Sequence, residues 1–307
     1  MIYTVTFNPA IDYVVYLDEL NTGKINRVTN EHIMFGGKGI NVSVVLNTLG
    51  INSVALGFVA GFTGVAIEQG IAEKGIKADF IKVEKGNSRI NVKIKSDSET
   101  EINGNGPNIT EEDLCKLYQK LDKLQQDDYL VLAGSIPTSV PNDIYEKIML
   151  RLSNKGVKCV VDATKDLLKN VLKYKPFLIK PNNIELGEFF GVEIRDKIQA
   201  VNYAKKLQAY GAENVLVSMA GDGAVLVTKK GQALEIGVAK GNVLNSVGAG
   251  DSMLAGFLAG YIETGNYSCA LKLGTACGGA TAFSVGLAER EDIYNLLEQL
   301  WQNENQV

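Results

Sequence analysis

The chain has 307 residues, 46% of them hydrophobic and 21% charged, the balance of a protein that buries a large core as one α/β domain, alone or with a small appendage. A net charge of −4 and a pI near 5.3 argue against nucleic acid or an anionic membrane as a main partner, so an anionic substrate has to be met by a few placed cations. The four cysteines (Cys115, Cys159, Cys269, Cys277) form no C-x-x-C pair and His32 is the sole histidine, which leaves zinc chemistry and a Ser-His-Asp triad poorly supplied.

Apolar runs read as buried strands at 2–7, 54–59, 129–133, 157–162, 177–180 and 215–219. Each is short and is followed by Gly, Asp, Pro or Ser, as parallel strands ending in ligand loops are. Helical patterns lie between them, at 39–49, 64–74, 111–124, 142–154 and 196–210. The alternation predicts an α/β fold: a doubly wound, mostly parallel sheet flanked by helices, with sites at the carboxyl ends of the strands. Residues 12–17 and 88–95 break the rhythm, being strand-like where a helix is due. With 31–35 they are expected to form a small antiparallel sheet outside the core, acting as a lid, a dimer interface or both. There is no repeat or long linker, and the tail after Trp301 reads as frayed. The chain opens directly on a strand and has no apolar run long enough for a bilayer; with its scattered cysteines it is expected in the cytoplasm.

Candidate functional residues cluster at the strand ends. Asp12, after Asn8-Pro9, is suited to a ligand hydroxyl or to a turn. Gly36-Gly37-Lys38-Gly39-Ile40-Asn41 opens a helix with backbone donors and one cation, but lacks the spacing of a Walker A loop. Arg89 is either a solvated strand residue or a bidentate clamp on a phosphate. Ser135 follows the third core strand and is expected on the same rim as Asp12. Asn182 and Glu185, after Lys180-Pro181, fit either a helix cap or the ordering of metal-bound water. Ser218, Met219, Ala220, Gly221, Asp222 and Gly223 form a tight turn or a cradle for a nucleotide phosphate.

The richest stretch is Asn245-Ser246-Val247-Gly248-Ala249-Gly250-Asp251-Ser252, which runs into a helix. Free N–H groups at such a start attract phosphate, so an acid there is out of place unless it works as a base. The alternative is an ordinary first-turn acid. A dinucleotide fingerprint is nearly matched, but Met253 stands where the third glycine belongs and the motif comes late in the chain.

Taken in this order, the motifs resemble those of the ribokinase-like (PfkB) sugar kinases over nearly the whole length. Gly36–Asn41 is similar to the family's first signature, Asn245–Ser252 to its second, and Asn182-Asn183-Ile184-Glu185 to its N-x-x-E element. The resemblance implies a single kinase domain over 1–307, with a lid of about residues 11–35 and 87–102 inserted in the α/β core. It implies ATP-dependent phosphorylation of a sugar or sugar phosphate. Asp251 would be the base, with backbone donors at Gly248, Ala249 and Gly250. Asp12, Gly37, Lys38 and Asn41 would hold the sugar, with Ser135 on that rim. Lys180, Asn182, Ser218–Gly223 and Gly250 would hold ATP. Glu185 and Asn182 would place Mg2+ through water, and the helix from Ser268 to Ser284 would wall the adenine. The opening Thr4–Asp12 and the strand Ser88–Ile94 resemble the branch acting on fructose 1-phosphate or tagatose 6-phosphate, more the former, with Arg89 and Lys38 on the substrate phosphate. A homodimer through the lid sheet is implied, with Lys24 and Arg27 either reaching across it or solvated. A non-catalytic sugar-phosphate sensor is the alternative from another class.

Overall fold

The computed structural model describes residues 1–304. Strand β1 (Ile2–Thr6) leads into β2 (Ala10–Tyr16) and β3 (Asn30–Gly36), then α1 (Lys38–Thr48), β4 (Ser53–Ala60) and α2 (Gly61–Glu73). Short strands β5 (Lys77–Ala78) and β6 (Ile81–Val83) precede β7 (Arg89–Lys95) and β8 (Glu99–Asn103). Helices and strands then alternate through α3 (Glu111–Leu121), β9 (Tyr129–Ala133), α4 (Ile144–Leu152), β10 (Lys158–Asp162), α5 (Lys165–Val171) and β11 (Leu178–Ile179). Next come α6 (Asn183–Phe190), α7 (Lys197–Ala209), β12 (Asn214–Ser218), β13 (Ala224–Val227) and β14 (Ala233–Ile236). Helices α8 (Ala249–Thr264), α9 (Tyr267–Ala282) and α10 (Arg290–Glu304) close the chain. Helix α10 continues past the point where the sequence reads as frayed; residues 305–307 lie outside the described residues.

The large sheet has the order β14-β13-β12-β11-β10-β9-β1-β4-β5, with β6 beside β4. From β12 to β5 every pairing is parallel, so the carboxyl ends of β1, β9, β10, β11 and β12 meet on one rim. Strands β13 and β14, which the strand pattern does not announce, add to one edge in antiparallel fashion. Along β9, Leu130 and Leu132 face a core shared with α3, α4 and α7, while Val131 faces a second core shared with α1, α8, α9 and α10. Burial on both faces is why these strands read as unbroken apolar runs. Each such side chain contributes about 1.5–3 kcal/mol on leaving water. No helix among the described residues is long and apolar enough to cross a membrane.

The second sheet, β3-β2-β7-β8, stands off the core. It is mixed, not antiparallel as expected: β2 and β7 run parallel, with Asp12 opposite Asn91, and only the outer pairs are antiparallel. The direction follows from the connections. Strands β2 and β7 follow core strands that point the same way, β1 and β6, and both leave from the same rim.

Candidate active site

Helix α1 starts hard against β1. A Cβ on Gly39 would lie 2.9 Å from the Val5 carbonyl oxygen and displace backbone, and Gly37 holds φ at +127°, a conformation that strains any side chain. Ile40 N–H donates to Thr6 Oγ1 at 3.1 Å, fixing the helix start over the end of β1. The approach brings Lys38 and Asn41 to the rim. At the other side Gly248, left-handed at φ 83°, caps α8 and turns the chain so that Asp251 sits in its first turn. Ala249 N–H is turned back to the Ser246 carbonyl at 3.2 Å. That leaves the N–H groups of Gly248 and Gly250 without a partner among the described residues, so the donor set is narrower than the three expected positions.

Asp251 is 6% exposed and its Oδ2 accepts from Asn41 Nδ2 at 2.8 Å. Burial, and then the neighbouring charge of Asp162, push its carboxyl up to about 6 against the pull of Asn41, Lys38 and Lys180. Asp162 ends β10 almost fully buried, and its Oδ2 lies 3.4 Å from Lys38 Nζ and 3.6 Å from Lys180 Nζ. Burial works against the charge of Lys38, but Asp162, Asp251 and Glu185 outweigh it and raise its pKa. Lys180 is buried beneath α8, its amine 3.1 Å from where a Cβ on Gly250 would stand.

Asn182 and Glu185 form a reciprocal cap on α6: Glu185 N–H donates to Asn182 Oδ1 and Asn182 N–H to Glu185 Oε2, each at 2.8 Å. The capping alternative is therefore realised, yet both residues also line the cleft and Glu185 Oε1 keeps no hydrogen-bond partner among the described residues. No group of three or more metal-ligating side chains occurs among those residues.

The lid sheet faces this floor. Asp12 Oδ1 accepts from Asn91 Nδ2 at 2.8 Å, and Lys93 Nζ lies 3.7 Å from its other oxygen. Arg89 Nε donates to the Asn8 carbonyl at 3.1 Å, and burial lowers its pKa. Between floor and lid lies a cleft of about 480 Å³. It is lined by Asp12, Gly37, Lys38, Asn41, Arg89, Lys180, Asn182, Glu185, Ser218, Gly248, Gly250 and Asp251, so positions spread over 240 residues of chain converge. A second cavity of about 600 Å³ shares Asp12 and Asn41 and extends past His32 towards residues 284–289.

Other expected residues lie apart from the cleft wall. Ser135 is exposed and does not line it. Met219 is buried under the turn, and Ala220, Gly221, Asp222 and Gly223 form that turn beside Ser218 without lining the cleft. Ala220 adopts a left-handed φ of 46°, a strained conformation for a residue with a side chain. Lys24 and Arg27 are exposed between β2 and β3. Helix α9 packs almost wholly buried against α8. Cleft residues that the motifs miss are Asp162, Asn91, Lys93, Glu101 and Asn103. Asp162 had a signal, as an acid closing the run Cys159-Val160-Val161; the lid residues had only the alternation of 89, 91 and 93 with Ile90, Val92 and Ile94.

Comparison with known proteins shows the family. The model of the pfkB family carbohydrate kinases matches residues 5–293. The chain is 47% identical over 300 residues to a 1-phosphofructokinase of Bacillus subtilis, covering 98% of both chains. It is 39% identical over 291 residues to a D-tagatose-1-phosphate kinase of Bacillus licheniformis, covering 94% of this chain and 95% of that one. The solved structure of phosphofructokinase-2 from Escherichia coli in complex with substrates and products superposes with a TM-score of 0.92 at 22% identity, covering 98% of this chain and 99% of that one; at that identity the likeness is one of fold.

Proposed function

The chain belongs to the pfkB family of carbohydrate kinases, and from that membership we infer a 1-phosphofructokinase, which uses ATP to convert fructose 1-phosphate to fructose 1,6-bisphosphate. The observation that carries the mechanism is Asp251: a buried carboxyl raised to about 6, beside unpartnered N–H groups and across one cleft from Asp12 and Arg89. Its basicity suits a group that takes a proton near neutral pH. In our reading Asp251 accepts the proton of the C6 hydroxyl as that oxygen bonds to the γ-phosphorus and the bond to ADP breaks. Gly248 N–H, Gly250 N–H and Lys180 stabilise the charge on the transferring oxygens. Asp12 and Asn41 orient the sugar, while Arg89 and Lys38 hold the phosphate it already carries. Ser218 and the turn to Gly223 flank the ATP.

Magnesium, bound to the phosphates of ATP, would neutralise charge developing on them. The residues fit that role: one carboxylate oxygen of Glu185 has no hydrogen-bond partner among the described residues, and a single carboxylate with an amide nearby suits a largely hydrated ion. The outer face of the lid exposes Ile33, Ile90 and Ile102, which register places on one side, and there we seat a second copy of the chain. Four free cysteines suit a cytoplasmic setting.

The test is ADP release from Mg-ATP with fructose 1-phosphate, tagatose 1-phosphate, tagatose 6-phosphate and fructose 6-phosphate. The highest kcat/KM is expected for fructose 1-phosphate. A lead for either tagatose phosphate keeps the chemistry and overturns the substrate assignment. No ADP with any of the four overturns the fructose 1-phosphate assignment and points to a different acceptor, to be sought with a wider panel of alcohols before a sensor is considered.

A further inference from the structure

The lid holds one polar atom that the mechanism leaves idle. Asn91 stands opposite Asp12 in β7, lines the cleft and is only 6% exposed. Its contact with Asp12 settles which end of the amide is oxygen, because a carboxylate accepts and only the –NH2 can donate. The remaining atom, Asn91 Oδ1, is buried with no hydrogen-bond partner. A buried amide oxygen without a donor is costly, and native structures leave few of them. The neighbouring cations have other contacts: Lys93 lies between Asp12 and Glu101, at 3.7 and 3.8 Å, and Arg89 Nε donates to the Asn8 carbonyl. At 3.7 Å Lys93 is too far to hydrogen-bond Asp12 Oδ2, so that oxygen is also available.

We propose that Asn91 Oδ1 accepts a hydrogen bond from a secondary hydroxyl of the acceptor sugar, beside the hydroxyl taken by Asp12 Oδ2. The Asn91–Asp12 pair thereby reads two neighbouring hydroxyls at once. This deepens the sugar-phosphate kinase reading and rests on it. On fructose 1-phosphate the neighbouring secondary hydroxyls are those at C3 and C4, and C4 is the centre at which fructose and tagatose differ. A site with buried acceptors rejects an analogue lacking the hydroxyl by more than the lost contact, because the acceptor is left unpaired.

The experiment measures kcat/KM for fructose 1-phosphate and its 3-deoxy and 4-deoxy analogues, with the wild type, Asn91→Ala and Asn91→Ser, each checked for folding by its melting curve. The wild type is expected to lose about 10- to 100-fold on each analogue. Asn91→Ala should lose a similar factor on fructose 1-phosphate and then use one analogue within about 3-fold of the parent sugar, while still rejecting the other. Asn91→Ser, which keeps a small acceptor, should fall between. Equal losses on all three sugars in both variants would reduce Asn91 to a positioning residue for Asp12 and overturn the proposal, as would no loss at all. Wild-type turnover of fructose 1-phosphate reports separately on the kinase reading: activity there with no pattern among the analogues sinks this inference alone.

Discussion

Replacing Asp251 with Asn should stabilise the protein while disabling it. Burial and the charge of Asp162 raise the carboxyl from 3.8 to about 6 even after Asn41, Lys38 and Lys180 pull the other way. Above pH 6 the folded protein therefore carries a charge that the unfolded chain bears more easily. The difference corresponds to about 3 kcal/mol, at about 1.36 kcal/mol per pH unit. Asparagine keeps the size and leaves an oxygen for Asn41 Nδ2, so the change removes the charge with little loss of packing. With an unfolding entropy of about 2.1 cal/mol/K per residue, about 3 kcal/mol raises Tm by about 5 °C in a chain of 307 residues. Between pH 3.8 and about 6 the folded state binds more protons than the unfolded one, so the wild type's penalty is full above that window and gone below it. Calorimetry should find Asp251→Asn melting about 5 °C higher at pH 8 and level with the wild type near pH 4. Turnover at pH 8 should fall by about 100- to 10,000-fold with ATP affinity kept. A gap that is absent at pH 8, or equal at both pH values, refutes the electrostatic reasoning; near-normal turnover removes Asp251 from the base role.

For the wild type, kcat/KM should fall as pH drops through about 6, where Asp251 takes up its proton, and a flat profile down to pH 5 would count against that base. Arg89→Ala should raise KM for fructose 1-phosphate by about 10- to 100-fold and leave KM for ATP unchanged, with Arg89→Lys in between; an unchanged sugar KM makes Arg89 a structural residue. Glu185→Gln keeps an oxygen for the cap on α6 and removes the charge, so Tm should hold while the Mg2+ needed for half-maximal rate rises; a fall in Tm alone would leave only the capping role. If the proposed lid dimer forms, the wild type should sediment as a dimer and Ile33→Glu with Ile102→Glu as a monomer; a monomeric wild type, or a variant that stays dimeric, overturns that interface.

What the sequence made legible follows the strength of the local signal. Core strands buried on both faces announce themselves as apolar runs, and glycines next to a helix start mark where backbone approaches backbone, as at Gly39. Strand β14 was not foreseen because its edge run, Ala233-Leu234-Glu235-Ile236, is mostly exposed, while β13 is a fully buried apolar run that follows directly on the Ser218–Gly223 turn and was absorbed into it. The parallel pairing of β2 with β7 was missed for another reason. Strand direction depends on which rim each segment leaves, and that is settled by the tertiary path rather than by the residues of the strand. Asp162 shows the same limit at the site. A strand-ending acid is common, and only the approach of Lys38 from α1 and Lys180 from the end of β11 distinguishes this one.

That approach also explains how a chain of net charge −4 can receive two polyanions. On the floor of the cleft there is no excess of cations: Asp162, Asp251 and Glu185 stand against Lys38 and Lys180. In our reading such a floor draws phosphate through directed N–H groups at Gly248 and Gly250 rather than through excess charge. It also keeps Asp251 close enough to Asp162 to stay basic. The lid differs. Arg89 makes no ion pair among the described residues, and the nearby charge of Asp12 offsets only part of the cost of burying its guanidinium. The sugar's own phosphate can offset the rest. In our reading a sugar without a phosphate leaves that cost only partly met by Asp12, so unphosphorylated sugars are expected to be used less well.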